Sequence, residues 1–103
     1  MKEGDGIPGL VGWEWHGDPA EIPGLEVVSK GVIKYGGQEN LYTSTVYPGP
    51  KGNFVFNAAT CWWADGVGAP PGYLHPKAHG AAPQGPDPRA QRITANLLAR
   101  MKA

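Results

Sequence analysis

The residues that can do chemistry begin with a carboxylate between two tryptophans. Glu14 lies in the segment Gly-Trp-Glu-Trp-His-Gly-Asp, between Trp13 and Trp15. Burial raises the pKa of a carboxylic acid, and such a group can act as a general base or bind a metal. Alternate residues of an extended segment share a face, so Glu14, His16 and Asp18 have a geometry compatible with a metal site, for which Glu14 and His16 are the candidate ligands. The alternative is that Glu14 is an outward-facing strand residue whose neighbours point inward.

Two further patterns contain residues that could bind a metal or act as a nucleophile, but the neighbouring residues argue against both roles. His75 and His79 have the spacing with which a helix grips one metal ion, but Pro76 and the surrounding glycines and prolines argue against a helix. Cys61 follows a predicted strand at a turn, as a nucleophile at a strand-to-helix elbow does. Such elbows have glycine two residues to each side, and this chain has none at those positions. We therefore expect Cys61 to be a buried packing residue.

Tryptophan is concentrated around these chemical groups. Trp62 and Trp63 follow Cys61 directly, and the chain has four tryptophans in all. A tryptophan buries a large area and usually needs a hydrogen-bond partner for its indole N–H, so such a cluster indicates either a core or the wall of a site. We predict that a small apolar ligand would bind between Trp13, Trp15, Trp62 and Trp63.

Composition limits the class of protein. The 103 residues include 16 glycines and 11 prolines, but also four tryptophans, four tyrosines and two phenylalanines, so we expect one folded, loop-rich domain spanning 1–103 rather than a disordered chain. The formal net charge is zero, which argues against nucleic-acid binding. The single cysteine favours a cytoplasmic protein. No apolar run approaches the roughly 20 residues that a membrane span needs.

The pattern of turns and apolar residues predicts an α+β fold. We expect three or four mainly antiparallel strands, with one C-terminal helix packed on a face of the sheet. The predicted strands are 10–15, 25–35, 41–47 and a segment that begins at residue 54. Turns are predicted at 36–40 and 48–52, a flexible leader at 1–9 and a long Gly/Pro-rich loop at 66–86.

Two elements carry finer predictions. Alternation within 25–35 places Val27, Ser29 and Ile33 on one face, and Gly31 marks a predicted bulge. Asp87 followed by Pro88 predicts a helix over 87–101, because aspartate is a good N-cap and proline is tolerated at the first helical position. An apolar stripe at helical spacing would face the sheet, and it consists of Ala90, Ile93, Leu97 and Met101.

Three motifs together resemble the C-terminal portion of the large subunit of the N,N-dimethylformamidase family. They are Gly-Leu-Val-Gly-Trp-Glu-Trp from residue 9, Phe-Val-Phe-Asn-Ala-Ala-Thr-Cys-Trp-Trp from residue 54, and Asp-Pro-Arg-Ala-Gln-Arg-Ile-Thr-Ala-Asn-Leu-Leu from residue 87. The resemblance covers residues 9–101 and implies similarity to class I glutamine amidotransferase folds. It implies an amide hydrolase whose iron is held by two tyrosines and one glutamate. Glu14 matches the glutamate of the family's Gly-x-Glu motif, whereas Ala59 stands where its strand motif has glycine.

The resemblance and the residues lead to two functional hypotheses. The family's tyrosine ligands would lie before residue 1, so we expect a stand-alone structural or binding domain that is not catalytic alone and has no cofactor. The alternative is a part of a metal-dependent amidohydrolase that uses iron and is active only with a partner chain. Unpaired strand edges and apolar patches predict association, as a homodimer or with an unlike subunit.

Overall fold

The computed structural model describes residues 1–12, 14–74 and 85–103. Within these residues it has three strands, β1 Glu26–Tyr35, β2 Gln38–Pro48 and β3 Phe54–Asn57, and two helices, α1 Trp63–Val67 and α2 Pro88–Met101. The α+β class, with an antiparallel sheet and a C-terminal helix, is confirmed. None of the described helices is long and apolar enough to cross a membrane.

The chain forms two compact units. The sheet unit is Glu14–Cys61, and the helical unit combines Met1–Trp13 with Trp62–Ala103. Inside the helical unit α2 lies against α1. The expected packing of α2 on the sheet and the single domain over 1–103 stay predictions.

The first hairpin is closed by a two-residue turn rather than by the predicted turn at 36–40. Tyr35 pairs directly with Gln38, so only Gly36 and Gly37 lie between β1 and β2. Both glycines have positive φ, 59° and 75°, as a type I′ turn requires. This type of turn matches the twist of the strands, so strand pairing continues up to the turn. Strand β2 therefore begins at Gln38, three residues earlier than predicted.

The second hairpin forms where proline and glycine predict it. Pro48 pairs with Phe54, and the amide of Gly49 donates to the carbonyl of Asn53 at 2.6 Å. The strand order is β1-β2-β3, with both pairs antiparallel. Strand β2 is therefore central, and β1 and β3 are the two edge strands.

A β-bulge lies at the start of β1 and not at the predicted Gly31. The register shifts between Val27 and Ser29, so Val28 is the extra residue. An extra residue moves everything before it to the other face, which separates Val27 from Ser29 and Ile33. The predicted grouping of these three on one face is wrong for that reason.

The two faces of the sheet expose different residues. On one face Tyr42 and Ser44 are 3% and 1% exposed and the Ser29 and Ser44 hydroxyls contact each other, whereas Tyr35 at the end of β1 is 74% exposed. The opposite face, here called the apolar sheet face, has Thr43 buried at its centre, 3% exposed, and exposed hydrophobic residues around it. They are Val27 at 45%, Val32 at 59%, Leu41 at 39%, Tyr47 at 39% and Val55 at 62% exposed.

The helical unit is organised around the N-terminus of α2. The carboxylate of Asp87 accepts a hydrogen bond from the amide of Arg89 at 2.8 Å, which confirms the predicted N-cap. Ala90 is fully buried, and the Trp63 indole donates to the Thr94 hydroxyl at 3.0 Å. The prediction that Met101 belongs to the buried apolar stripe of α2 is wrong, since Met101 is 59% exposed.

Two sequence expectations in this part of the chain fail. The described residues of 10–15 form no strand. A side chain at Gly12 would overlap the indole of Trp62, so this residue fits close backbone packing rather than a ladder. Helix α1, which overlaps the start of the predicted loop 66–86, has no side-chain cap and contains Gly66. It is held by packing, because Gly66 lies against Leu10.

The Asp87 cap predicts a specific pH dependence of stability. Hydrogen bonds from the Arg89 side chain and backbone lower the pKa of Asp87 from 3.8 to about 2. Because the folded pKa is depressed, this contribution is full above the ordinary value and is lost as the pH falls from about 4 to about 2. Urea denaturation followed by circular dichroism should show wild-type stability falling more steeply over this range than in Asp87→Asn, which keeps a capping oxygen without titrating. Parallel curves for the two proteins would contradict this role of Asp87.

Candidate functional site

The candidate site lies where the segment that starts the sheet unit meets the segment that ends it. We call it the Glu14–Cys61 corner, and its members are Glu14, His16, Asn57, Ala59 and Cys61. The amide of His16 donates to the carbonyl of Ala59 at 3.1 Å, and the His16 carbonyl accepts from the amide of Thr43 at 3.1 Å. Residue 16 therefore occupies the edge of β2 beyond the point where β3 has ended.

Two residues of the corner have backbone conformations that are uncommon for side-chain-bearing residues. Glu14 has φ of 56° and Ala59 has φ of 59°, and both values fall in the left-handed region. Apart from glycines, no other described residue has a positive φ. Such conformations persist only where the surroundings determine them, and they concentrate at functional sites. The left-handed backbone of Glu14 is a second reason, besides its sequence neighbours, to consider it a candidate site residue.

The side chain of Asn57 contacts the ring of His16. The amide N–H of Ala59 donates to Asn57 Oδ1 at 2.9 Å, which orients the side-chain amide. Asn57 Nδ2 then faces His16 Nδ1 at 3.3 Å and can only donate to it. This contact matches the neutral tautomer of His16 that has its proton on Nε2 and accepts at Nδ1.

Glu14 and Cys61 form a thiol–carboxylate pair. The Cys61 Sγ donates to Glu14 Oε2 at 3.6 Å. Cys61 is exposed, which makes the prediction of a buried packing cysteine wrong. Local desolvation, followed by the hydrogen bond and the negative charge of Glu14, raises the pKa of the Cys61 thiol above its ordinary value. Since the thiolate is the nucleophilic form, this pairing opposes nucleophilic catalysis by Cys61.

The described side chains do not assemble a metal centre. Among residues 1–12, 14–74 and 85–103 no group of three or more His, Cys, Asp or Glu side chains is placed to hold an ion. The pair His75 and His79 lies outside the described residues.

The predicted tryptophan cluster is only partly represented. Trp13 lies outside the described residues. Trp15 is in the sheet unit, where its ring meets the edge of Tyr35 at a centroid distance of 6.4 Å and an angle of 63°. Trp62 and Trp63 are in the helical unit. A pocket walled by all four tryptophans stays a prediction.

A cleft in the helical unit uses one of these tryptophans. It encloses about 220 Å³ of empty space, part of it open solvent, which is below the roughly 300 Å³ of small ligand sites. Its one charged lining side chain, Asp87, already binds Arg89. The lining residues are Ile7, Pro8, Gly9, Leu10, Trp62, Gly66, Gly85 and Asp87.

One residue of the corner was missed by sequence reasoning. Asn57 ends β3 and orients His16, yet a polar residue after three apolar ones gives no indication of such a role. The pairing of Cys61 with Glu14 was also missed, because the two are 47 residues apart in sequence and the turn before Cys61 is set by Ala59.

The thiol–carboxylate pair predicts how Cys61 reacts. Replacing Glu14 by Gln removes the negative charge, so the pKa of Cys61 should fall part of the way to its ordinary value and the thiol should react faster near neutral pH. The rate of iodoacetamide modification against pH measures this, with Asp18→Asn as a control that removes a nearby exposed carboxylate. An unchanged pH profile in Glu14→Gln would show that Glu14 does not control the thiol.

Comparison with known proteins adds no assignment. No protein-family model matches the chain, and neither a curated protein nor a solved structure matches it. The resemblance to the N,N-dimethylformamidase family therefore stays a prediction that rests on its three sequence motifs. Function must be argued from the geometry of the two units.

Proposed function

We propose that this chain is a structural or binding domain that is not catalytic alone and that associates through the apolar sheet face. The observation that carries the proposal is the set of exposed hydrophobic residues on the apolar sheet face. Val32 and Val55, towards its two ends, are 59% and 62% exposed. Exposed apolar patches on a small protein mark interaction sites.

The chemistry of the Glu14–Cys61 corner supports a role without catalysis. Local desolvation, and then the hydrogen bond and charge of Glu14, raise the pKa of the Cys61 thiol and so disfavour its nucleophilic thiolate form. Glu14 itself remains a candidate base or ligand. With a single cysteine that has no disulfide partner in the chain, we place the protein in the cytoplasm.

A second copy of the chain is the first partner we propose. The formal net charge is zero, so copies have no net repulsion at long range. The apolar sheet face also carries charges of both signs, with Lys30 and Lys34 on β1 and Glu39 on β2. Such a face suits a two-fold symmetric contact better than it suits a strongly charged partner. An unlike subunit is the alternative partner.

A double substitution tests this association. Tyr47 and Val55 are directly opposite each other on β2 and β3, and replacing both by Thr keeps strand preference while removing apolar area. In sedimentation velocity at tens of micromolar we expect a wild-type dimer and at least about a tenfold weaker dimer in Tyr47→Thr/Val55→Thr, since about 1.4 kcal/mol of lost burial is a factor of ten. Leu98→Thr, on α2 and 55% exposed, is the control. A wild-type monomer, or equal weakening by the control, would contradict association through this face.

The second candidate is a part of a metal-dependent amidohydrolase that is active only with a partner chain. It is favoured by Glu14, which matches the family motif and has a left-handed backbone, and by Ala59, which adopts the region that glycine prefers at the motif's glycine position. Among the described residues no group of three or more His, Cys, Asp or Glu side chains could hold a metal ion, so a site of that composition would need ligands from elsewhere.

Metal analysis separates the two candidates. For the chain alone we expect no stoichiometric iron or zinc and no formamide hydrolysis, in the wild type and in Glu14→Gln alike. Stoichiometric metal that is lost in Glu14→Gln, and retained in Asp18→Asn, would overturn the non-catalytic proposal and favour the hydrolase.

A further inference from the structure

The outer edge of β1 has a defined hydrogen-bonding pattern. The amide of Thr43 donates to His16, so this amide of β2 points away from β1. The direction of the backbone N–H and C=O groups alternates along a strand, so those of Tyr42 point towards β1. Tyr42 and its partner Gly31 therefore form a pair joined by two backbone hydrogen bonds. The intervening residues of β1, which are Lys30, Val32 and Lys34, must point their N–H and C=O groups outward.

These outward groups form a bounded and accessible edge. Among the described residues no backbone group bonds to Lys30, Val32 or Lys34 from the outer side, and all three residues are exposed. The bulge at Val28 interrupts the edge on one side, and the Gly36–Gly37 turn ends it on the other. The edge is therefore long enough for a strand of about seven residues.

The side chains at this edge select its occupant. Lys30, Val32 and Lys34 lie on the same face, which places one apolar side chain between two cations. Lys34 is only loosely engaged, because its Nζ lies 3.9 Å from Glu39 Oε1 and both side chains are mostly exposed. An added strand would place its own side chains opposite these three.

From this geometry we infer that the free edge of β1 binds an extended acidic peptide by strand addition, with an apolar residue between two acidic ones at alternate positions. Backbone bonds to Lys30, Val32 and Lys34 supply affinity, and the two lysines supply selectivity. This inference rests on the proposed function in that it takes the chain to be a binding domain, and it specifies the chemistry of an unlike partner.

The same lysines disfavour the most symmetric pairing of two copies at this edge. A two-fold antiparallel pairing centred on Val32 would put Lys30 of each copy opposite Lys34 of the other, and like charges directly opposite are destabilising. Lysines and bulges are devices by which edge strands avoid pairing with themselves. Self-association through the apolar sheet face uses side chains, whereas peptide binding at the β1 edge uses the outward backbone groups of Lys30, Val32 and Lys34.

The test uses the full chain and a synthetic probe. The probe is a fluorescent, end-blocked heptapeptide, Thr-Glu-Thr-Val-Thr-Glu-Thr, whose binding is followed by fluorescence anisotropy. We expect it to bind at least about tenfold more tightly than the peptide with Lys in place of Glu, and to weaken as salt is raised. Lys30→Glu/Lys34→Glu should reverse this preference, and Lys51→Glu/Lys102→Glu, with two exposed lysines elsewhere, should not.

Backbone methylation of the probe tests strand addition itself without altering the protein. Methylation of the valine amide, which would face Val32, should abolish binding, and methylation of a neighbouring threonine amide should leave it. Equal binding of the acidic and basic peptides, or no effect of valine methylation, would overturn the inference. If the probe fails while the wild type still dimerises, only the edge inference falls. If the probe binds to a chain that is monomeric, only the dimer falls.

Discussion

The structure of the sheet unit depends on one constraint, which is that β2 is hydrogen-bonded along both of its edges. Strand β1 occupies one edge, and β3 followed by residue 16 occupies the other. This double pairing fixes which amides of β2 point in which direction. It also fixes the face on which each side chain lies, so that Tyr42 and Ser44 are buried together while Tyr47 and Leu41 are exposed. The apolar sheet face and the free edge of β1 are both consequences of it.

The Glu14–Cys61 corner is a second consequence. Because β3 ends at Asn57, the edge of β2 at Thr43 is open to another segment, and the backbone of His16 fills it. The bonds that hold His16 there also orient Asn57 and bring Glu14 beside Cys61. The corner thereby brings a thiol, an imidazole and a carboxylate together. Its backbone geometry is explained by pairing of the sheet.

Local signals predicted much of this fold, and long-range contacts account for what they missed. The helix from Pro88 and the turn after Pro48 follow from residues whose torsions are restricted, so they are visible in a single sequence. The bulge at Val28 was not visible, because it depends on which β2 residue each β1 residue meets. Helix α1 was missed because packing of Gly66 against Leu10 overrides a sequence with no cap.

The candidate site was predicted less well than the fold, for a similar reason. Glu14 was selected from its neighbours in sequence, and its backbone is unusual in the structure. Its partner Cys61 and the residue that orients His16 come from the other end of the sheet unit. Sequence spacing carries no information about such contacts, so Cys61 was expected to be buried although it is exposed.

Amide hydrogen exchange of β1, resolved by residue, tests the pairing of β2 most directly. The account predicts that Gly31 and Ile33, whose amides face β2, exchange slowly, while Lys30, Val32 and Lys34, whose amides face outward, exchange at least about tenfold faster. Uniform protection along β1, or slow exchange of Val32 with fast exchange of Gly31, would contradict the register and with it both of the proposed binding surfaces.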